Sequence, residues 1–391
     1  MKNDSISIFV FPYQTVHCGD TIRFSAQLKS ENSQQYYEGK LFWTIYRDSR
    51  NAIASGEIEL STGLDYAEYI PDRPGVIQIQ FSDRTAMTVA RIGVPVDPEK
   101  IMPKALMPSD FNLFWECHWM PISHTPLNPE LRKIPGSRPE LFDVSVDCIE
   151  SAPLRGILGV SPRAKTEKCP ALLLFHGAGV RSARTEYMFN PLMDGCIVFD
   201  VNAHGIDNCQ APEFYSGFPE FDNYPMRGWL SGNPEKVYFL HMFLRARRAI
   251  DFITSRKEWD GKNLFVRGAS QGAWQALAAA GFDRRVSALA VSIPAGADIL
   301  SGGWPICGSI KELPEYVNYF DAVNFARNIH IPGYVGIGLA DTTCNPDGIY
   351  ALCNSYAGPL TVASNFRRQH TLTVEDFQTE WNFLHKTINI R

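Results

Sequence analysis

In residues 21–28 the apolar side chains Ile22, Phe24, Ala26 and Leu28 alternate with polar ones. That is the two-residue period of a strand with one buried face. Short apolar runs at 6–11, 41–46, 57–60, 76–81 and 87–92 keep the same rhythm, with turn signals such as Cys18-Gly19-Asp20 and Asp72-Arg73-Pro74-Gly75 between them. Six or seven short strands so spaced predict an all-β accessory domain over residues 1–95, an immunoglobulin-like sandwich. Its one histidine is His17, and nothing else in it suggests chemistry. A proline-punctuated stretch then predicts a linker at 96–103 within a second domain, 96–391.

From about residue 104 the period changes. Residues 142–148 and 155–160 predict a β-hairpin, and 171–175 and 196–201 are continuously apolar, as parallel strands covered on both faces are. Asn233 before Pro234 predicts the cap of a long helix reaching about residue 253. Further strands are expected at 263–267, 286–291, 334–339 and 360–363. A last helix is expected from Thr373, with Asp376 as its capping-box partner and Val374, Phe377, Trp381, Leu384 and Ile388 on one face. Alternating strands and helices predict an α/β class with a doubly wound, mostly parallel sheet.

Composition narrows the function classes. A chain of 391 residues accommodates two domains. Its net charge is −5, with no Lys/Arg run interleaved with aromatics, so no nucleic-acid partner is expected. No apolar stretch approaches the ~18 residues that cross a bilayer, so no membrane partner is expected. Met1-Lys2-Asn3-Asp4-Ser5 lacks the apolar region of a secretory leader. The expectation is a cytoplasmic protein, or a periplasmic or secreted one if a leader has been removed. The nine cysteines are scattered without a C-x-x-C pair, so neither zinc nor a disulfide framework is expected. Cys117-His118 and the pair Cys344 and Cys353 read as packed or free thiols.

Gly268-Ala269-Ser270-Gln271-Gly272 matches G-x-S-x-G between an expected strand and an Ala-rich helix, where a nucleophile elbow of the α/β-hydrolase fold belongs. Small residues two positions either side let that sharp turn close, and the helix N-terminus faces developing negative charge. Ser270 is therefore the expected nucleophile. In this fold an acid and then a histidine follow it along the chain; Asp341, after the strand at 334–339, and His370, before the last helix, fit those places. His330 precedes its strand, His385 lies inside the last helix, and Asp347 in Asn345-Pro346-Asp347-Gly348 reads first as a turn residue. The oxyanion donors are expected to be the backbone N–H groups of Gln271 and, in the loop His176-Gly177-Ala178-Gly179, of Ala178. His176 reads as structural. Residues 214–229 are dense in aromatics, and Phe214, Tyr215 and Trp229 are candidates for stacking on a sugar or against a neighbouring subunit.

Over residues 104–391 the chain resembles the acetyl xylan esterase/cephalosporin C deacetylase family of carbohydrate esterases. The resemblance rests on residues 108–115, His176-Gly177, Arg227-Gly228-Trp229 with Tyr238 and residues 248–252, the Ser270 elbow, residues 319–326, 337–341 and Cys344-Asn345-Pro346. It implies a triad of Ser270, Asp341 and His370 and oxyanion donors at Ala178 and Gln271. It also implies removal of acetyl groups from xylo-oligosaccharides and similar small acetylated carbohydrates, without metal or cofactor, often in homo-oligomeric rings. The family's tyrosine after His-Gly is here Ala178, its Gly-His-Glu is Gln369-His370-Thr371, and a strand-end motif rich in Arg, Gly and Gln is Asn202-Ala203-His204-Gly205. These changes bear on the substrate. The N-terminal domain resembles an extra domain of longer gut-bacterial relatives and has the bulk to block ring assembly. The rival readings are a serine peptidase of the prolyl-oligopeptidase type, a thioesterase, and a non-catalytic binding scaffold. About 95 residues are too few for the peptidases' β-propeller, and no triad member is missing.

Overall fold

The computed structural model describes residues 4–11, 16–30, 40–59, 66–82, 88–149, 152–302 and 313–388. Met1, Leu60 and Met87, at the ends of expected segments, lie outside them. Two compact units emerge: one of residues 1–102, 337–354 and 364–371, the other of residues 103–336, 355–363 and 372–391.

The first unit is built on β1 (Asp4–Phe11), β2 (Ile22–Ser30), β3 (Lys40–Arg47), β4 (Asn51–Glu59), β5 (Tyr66–Tyr69), β6 (Gly75–Ser82) and β7 (Thr88–Val96). They pair antiparallel in two sheets, ordered β1-β2-β5 and β4-β3-β6-β7. The alternation expected of half-buried strands has its cause in one shared core: Ile22, Phe24 and Ala67 from the first sheet meet Ile45, Ile77, Ile79 and Ile92 from the second. Strand β6 departs from that pattern, since Val76, Ile77, Gln78 and Ile79 are all buried. Its other face is covered by the late segments of the same unit. Gly93, opposite Gln78 in the sheet, donates its N–H to Phe366 O at 2.8 Å. A Cβ on Gly93 would stand 1.9 Å from Leu339 O, so only glycine allows that approach.

The remaining elements, in chain order, are α1 (Phe111–Ser123), β8 (Glu130–Lys133), β9 (Glu140–Ile149), β10 (Ala152–Val160), β11 (Cys169–Phe175), α2 (Phe189–Met193), β12 (Ile197–Asn202), α3 (Pro212–Ser216) and α4 (Tyr238–Thr254). They continue with β13 (Trp259–Ala269), α5 (Gln271–Phe282), β14 (Ala288–Ser292), α6 (Ala322–Ala326), β15 (Gly333–Gly338), α7 (Pro346–Ser355), β16 (Leu360–Asn365) and α8 (Val374–Ile388). Most of α7 and the last residues of β15 and β16 belong to the first unit. The sheet order is β16-β15-β14-β13-β11-β12-β10-β9-β8. From β12 to β15 neighbouring strands are parallel, and β8, β9 and β10 form an antiparallel edge. Strand β11 lies between β12 and β13, where the direction of winding reverses and strand ends open onto a crevice suited to a site.

One expected helix start shifts, and one expected turn is instead the start of a helix. Residues 234–236 form a 3-10 turn whose Asn233 side chain accepts from Glu235 N–H at 2.8 Å; Val237 then re-extends the chain before α4 begins. At Asn345-Pro346-Asp347-Gly348 the chain opens α7 instead of turning, with the Asn345 side chain accepting from Asp347 N–H at 3.1 Å. The capping box of α8 forms: Thr373 N–H donates to Asp376 Oδ2 at 2.8 Å. Trp381 and Leu384 bury as expected, whereas Val374 is exposed. Among the described residues no helix is long and apolar enough to cross a membrane.

Candidate active site

Ser270 stands where β13 turns into α5, with φ 55° and ψ −123°. Such a backbone is costly for a residue with a Cβ and persists only where the surroundings enforce it. Ser270 N–H donates to Ser292 O at 3.1 Å, and Ser270 O accepts from Ala295 N–H at 3.1 Å. Both flanking glycines are sterically required. A Cβ on Gly272 would come 2.0 Å from Phe175 O, and one on Gly268 would come 2.2 Å from Gly272 O. The elbow is thus clamped against the end of β11.

The loop after β11 is held by a buried polar network. His176 Nε2 accepts from Ala203 N–H at 3.2 Å, so its proton sits on Nδ1, 2.7 Å from Gly177 O. Burial, with Arg181 beside it, pushes the His176 pKa down to about 3. It is neutral and structural. Arg181 Nη2 also donates to Gly177 O, at 2.9 Å. His204 takes the carbonyl two residues along, Gly179 O, at 3.2 Å from its Nε2, while its Nδ1 accepts from the Tyr238 hydroxyl at 2.7 Å. Ala178 is exposed between these anchors, and Gly177 lies close to Ala269 O and Ser270 Cβ. The loop and the elbow share one tether. The Tyr224 hydroxyl accepts from Gly179 N–H at 3.1 Å and donates to Gln271 Oε1 at 2.6 Å. The sequence reading missed Tyr224, which lies within an aromatic-rich stretch without a motif of its own.

The aromatic segment connects to this network ring by ring. Phe214 packs edge-on to Tyr215 and Phe218, at 5.2 and 4.9 Å between centroids. Phe218 meets Phe221, Phe221 meets His204, and His204 meets Tyr224. Phe214 and Tyr215 are half-buried, although the Tyr215 hydroxyl is engaged with Asp207 O at 3.0 Å. Trp229 does not suit the role expected of it. It is buried against Phe239 and Phe320, its indole N–H donates to Pro225 O at 2.7 Å, and it has no face to offer a sugar.

In the other unit Asp341 and His370 form a pair, with Oδ2 and Nδ1 2.8 Å apart. Asp341 is fully buried, while 27% of the His370 side chain is accessible. Asp341 Oδ1 accepts from the N–H groups of Thr343 and Cys344 at 2.7 and 3.0 Å, so the carboxylate is an acceptor on every side. It holds the imidazole proton on Nδ1 and leaves Nε2 as the basic nitrogen. The two loops that carry the pair are laced together: Leu339 N–H donates to Asn365 O and Ala340 N–H to Arg368 O, at 3.0 and 2.9 Å. Gly338 permits this, because a Cβ there would meet Arg368 O at 2.8 Å. Asp347 is no substitute acid. Its carboxylate is buried, accepts from Val76 N–H at 2.5 Å, and is pushed up to about 7 by that burial.

Asp341, Cys344 and His370 bring three possible metal-ligand atoms within 4.8 Å of one another. The Asp341 oxygens are already committed to two backbone N–H groups and the imidazole, so the donor set suits a hydrogen-bonded pair better than an ion. A separate cavity of about 400 Å³ lies among Leu174, Tyr187, Arg267, Phe377 and Trp381, and none of the expected site residues lines it.

The acetyl xylan esterase family (AXE1) matches residues 94–299 and 310–386. The chain is 29% identical over 368 residues to the acetyl esterase Axe7A of Xylanibacter ruminicola, covering 88% of this chain and 82% of that one. Among solved structures, acetyl xylan esterase 1 from Thermoanaerobacterium sp. JW/SL YS485 superposes with a TM-score of 0.64 at 19% identity, covering 74% of this chain and 97% of that one. The acetyl xylan esterase from Paenibacillus sp. R4 does so with 0.59 at 24% identity, covering 74% and 98%. At these identities the superpositions speak for the fold, and the sequence match speaks for the family. The chain, an esterase on an α/β-hydrolase fold, belongs to the acetyl xylan esterase family.

Proposed function

We propose that this esterase removes O-acetyl groups from acetylated xylo-oligosaccharides or similar small acetylated carbohydrates through an acyl-enzyme on Ser270. The observation that carries this reading is the enforced left-handed backbone of Ser270 on its strand-to-helix turn, in a chain of this family. His370 Nε2 takes the Ser270 hydroxyl proton as Oγ attacks the acetyl carbonyl carbon. Asp341 keeps the imidazole in the tautomer this needs and stabilises the imidazolium. The tetrahedral oxyanion is received by the N–H groups of Gln271, at the start of α5, and of Ala178. Collapse of the intermediate expels the sugar oxygen, which takes the proton back from His370 and leaves acetyl-Ser270. A water molecule, deprotonated by His370, then attacks the acyl carbon, and collapse of that second intermediate releases acetate as Ser270 Oγ takes the proton back from His370. The chain's own residues supply every step, so the reaction is assigned no metal or cofactor.

Phe214 and Tyr215 are assigned to the sugar, a reading supported by the chain of rings that links them to Tyr224 beside the elbow. The N-terminal strands are read as an immunoglobulin-like sandwich, supported by two antiparallel sheets around one core. Acetate release from acetylated xylo-oligosaccharides, wild type against Ser270→Ala, tests the proposal, with a longer-chain nitrophenyl ester and a proline-containing peptide alongside. Acetate release abolished in Ser270→Ala, with little turnover of the other two, supports it. Activity on the peptide or the long acyl chain alone would overturn the substrate, and no activity on any of them would overturn the mechanism.

A further inference from the structure

Asp341 belongs to the same compact unit as the N-terminal strands, and the contacts there are specific. Gln78, on β6, is fully buried. Its Nε2 donates to Leu339 O at 2.6 Å and to Asp341 O at 3.1 Å. These carbonyls lie just beyond the end of β15, where the sheet no longer supplies donors. The amide orientation is unambiguous, because Oε1 faces Arg91 Nε at 3.0 Å and arginine can only donate. The same guanidinium donates through Nη2 to Ser49 O at 2.7 Å and lies over the Tyr46 ring at 4.4 Å. Ser49 in turn donates its hydroxyl to Asp341 O at 3.1 Å, from a backbone with φ 62°. A non-glycine residue held in that region marks a turn that its surroundings over-determine. The side chains of Gln78, on β6, and Ser49, in the turn between β3 and β4, therefore face the Asp341 carbonyl, with the Ser49 hydroxyl also 3.3 Å from Asn345 Oδ1, and Arg91 braces the Gln78 amide and the Ser49 backbone.

We propose that Gln78, with Ser49 and Arg91 behind it, is a positioning residue for the reaction. It fixes the backbone of the Asp341 loop, and through it the carboxylate that orients His370. The N-terminal strands are then part of the catalytic apparatus, acting through the Asp341 backbone. This rests on the triad reading given above.

The test uses the full chain with Gln78→Met, which keeps the bulk of the side chain and removes its donors. It compares that change in the wild-type and Asp341→Asn backgrounds. The readouts are kcat and KM for acetate release, the rate at which a fluorophosphonate labels Ser270, and the thermal midpoint. In the wild-type background kcat and the labelling rate are expected to fall between about tenfold and a hundredfold, the range for a slightly misplaced reacting group. KM should hold within about twofold, since Gln78 meets no substrate. In the Asp341→Asn background the same change should lower the labelling rate by less than about twofold, because residues acting through one another are non-additive. A folded Gln78→Met with wild-type kcat would overturn the proposal, as would equal losses in both backgrounds. Should Gln78→Met fail to fold, Ser49→Ala, which removes one of the two donors to the Asp341 carbonyl, is read the same way. Failure of the substrate reading shows separately, as a wild type that the phosphonate labels but that releases no acetate.

Discussion

The Tyr224 hydroxyl lies 2.6 Å from Oε1 of Gln271 and is the link between the Ser270 elbow and the loop after β11. With one proton to give, it donates to Gln271 and accepts from Gly179. Tyr224→Phe leaves a half-buried N–H and a buried amide oxygen without these partners, which costs about 1–3 kcal/mol of stability. Gln271 and Ala178, the residues proposed to receive the oxyanion, stand at and beside the two ends of this tether. Steady-state kinetics should therefore show kcat for acetate release reduced roughly tenfold or more, with KM little changed. Urea unfolding supplies the stability term.

Gly272 has no room for a side chain. The nearest obstacle is backbone, Phe175 O at 2.0 Å from the position of a Cβ, so neither a rotamer change nor a flexible neighbour relieves it. Gly272→Ala is expected to force β11 and α5 apart at about 1–3 kcal/mol, the range for overpacking a filled core. It should also lose most of its esterase activity, because the elbow moves with α5. A lowered thermal midpoint together with depressed acetate release checks both.

Arg267 on β13 and Glu380 on α8 are both buried and paired at 2.5 Å, and Ser292 Oγ donates to the other Glu380 oxygen, also at 2.5 Å. Removing one partner strands a charge. Glu380→Leu should destabilise the fold by about 3–5 kcal/mol. The double change Arg267→Met with Glu380→Leu should recover most of that loss, since no charge is then buried. Denaturant midpoints of the two single variants and the double one decide it.

Asp200, on β12, is fully enclosed, and burial pushes its pKa up to about 8 from an ordinary value of 3.8. Between those two values the folded chain keeps a proton that the unfolded chain has released. This group therefore makes the fold less stable as pH rises from about 4 to 8. Asp200→Asn removes the ionisation while keeping the shape, so the variant's stability should decline less across that window. Thermal midpoints at pH 5 and pH 8, wild type against variant, test the difference.

Much of the site was legible along the chain because its parts obey local rules. Gly268 answers a steric need within one strand-to-helix turn, while Gly272 meets a further one set by β11. Asp341 and His370 occupy places that the order of strands dictates. The capping box at Thr373 and Asp376 reads directly as the start of α8. Where the reading slipped, longer-range contacts had intervened. Pro234 opens a 3-10 turn because the chain re-extends at Val237 before α4. Trp229 stands in an aromatic run that suggested a sugar platform, yet Phe239 and Phe320 enclose it. Glu380 breaks the apolar stripe of α8 for the sake of Arg267, distant in sequence and on another element.

Periodicity, turn chemistry and motif order thus indicated many of the strands, the two long helices and the strand-to-helix turn at Ser270, and offered Asp341 and His370 as candidates, because each depends on neighbours within a few residues or on connectivity. They carried no information on which partners satisfy the buried polar groups. Gln78 in a strand pattern is one more polar residue on an outward face, until folding lays the Asp341 loop across that face and requires donors for its carbonyls. Tyr224 is one aromatic among many, until Gly179 and Gln271 meet at its hydroxyl. Buried hydrogen-bond groups must be paired, and the pairing is chosen by distance in space, which the order of residues does not encode one position at a time.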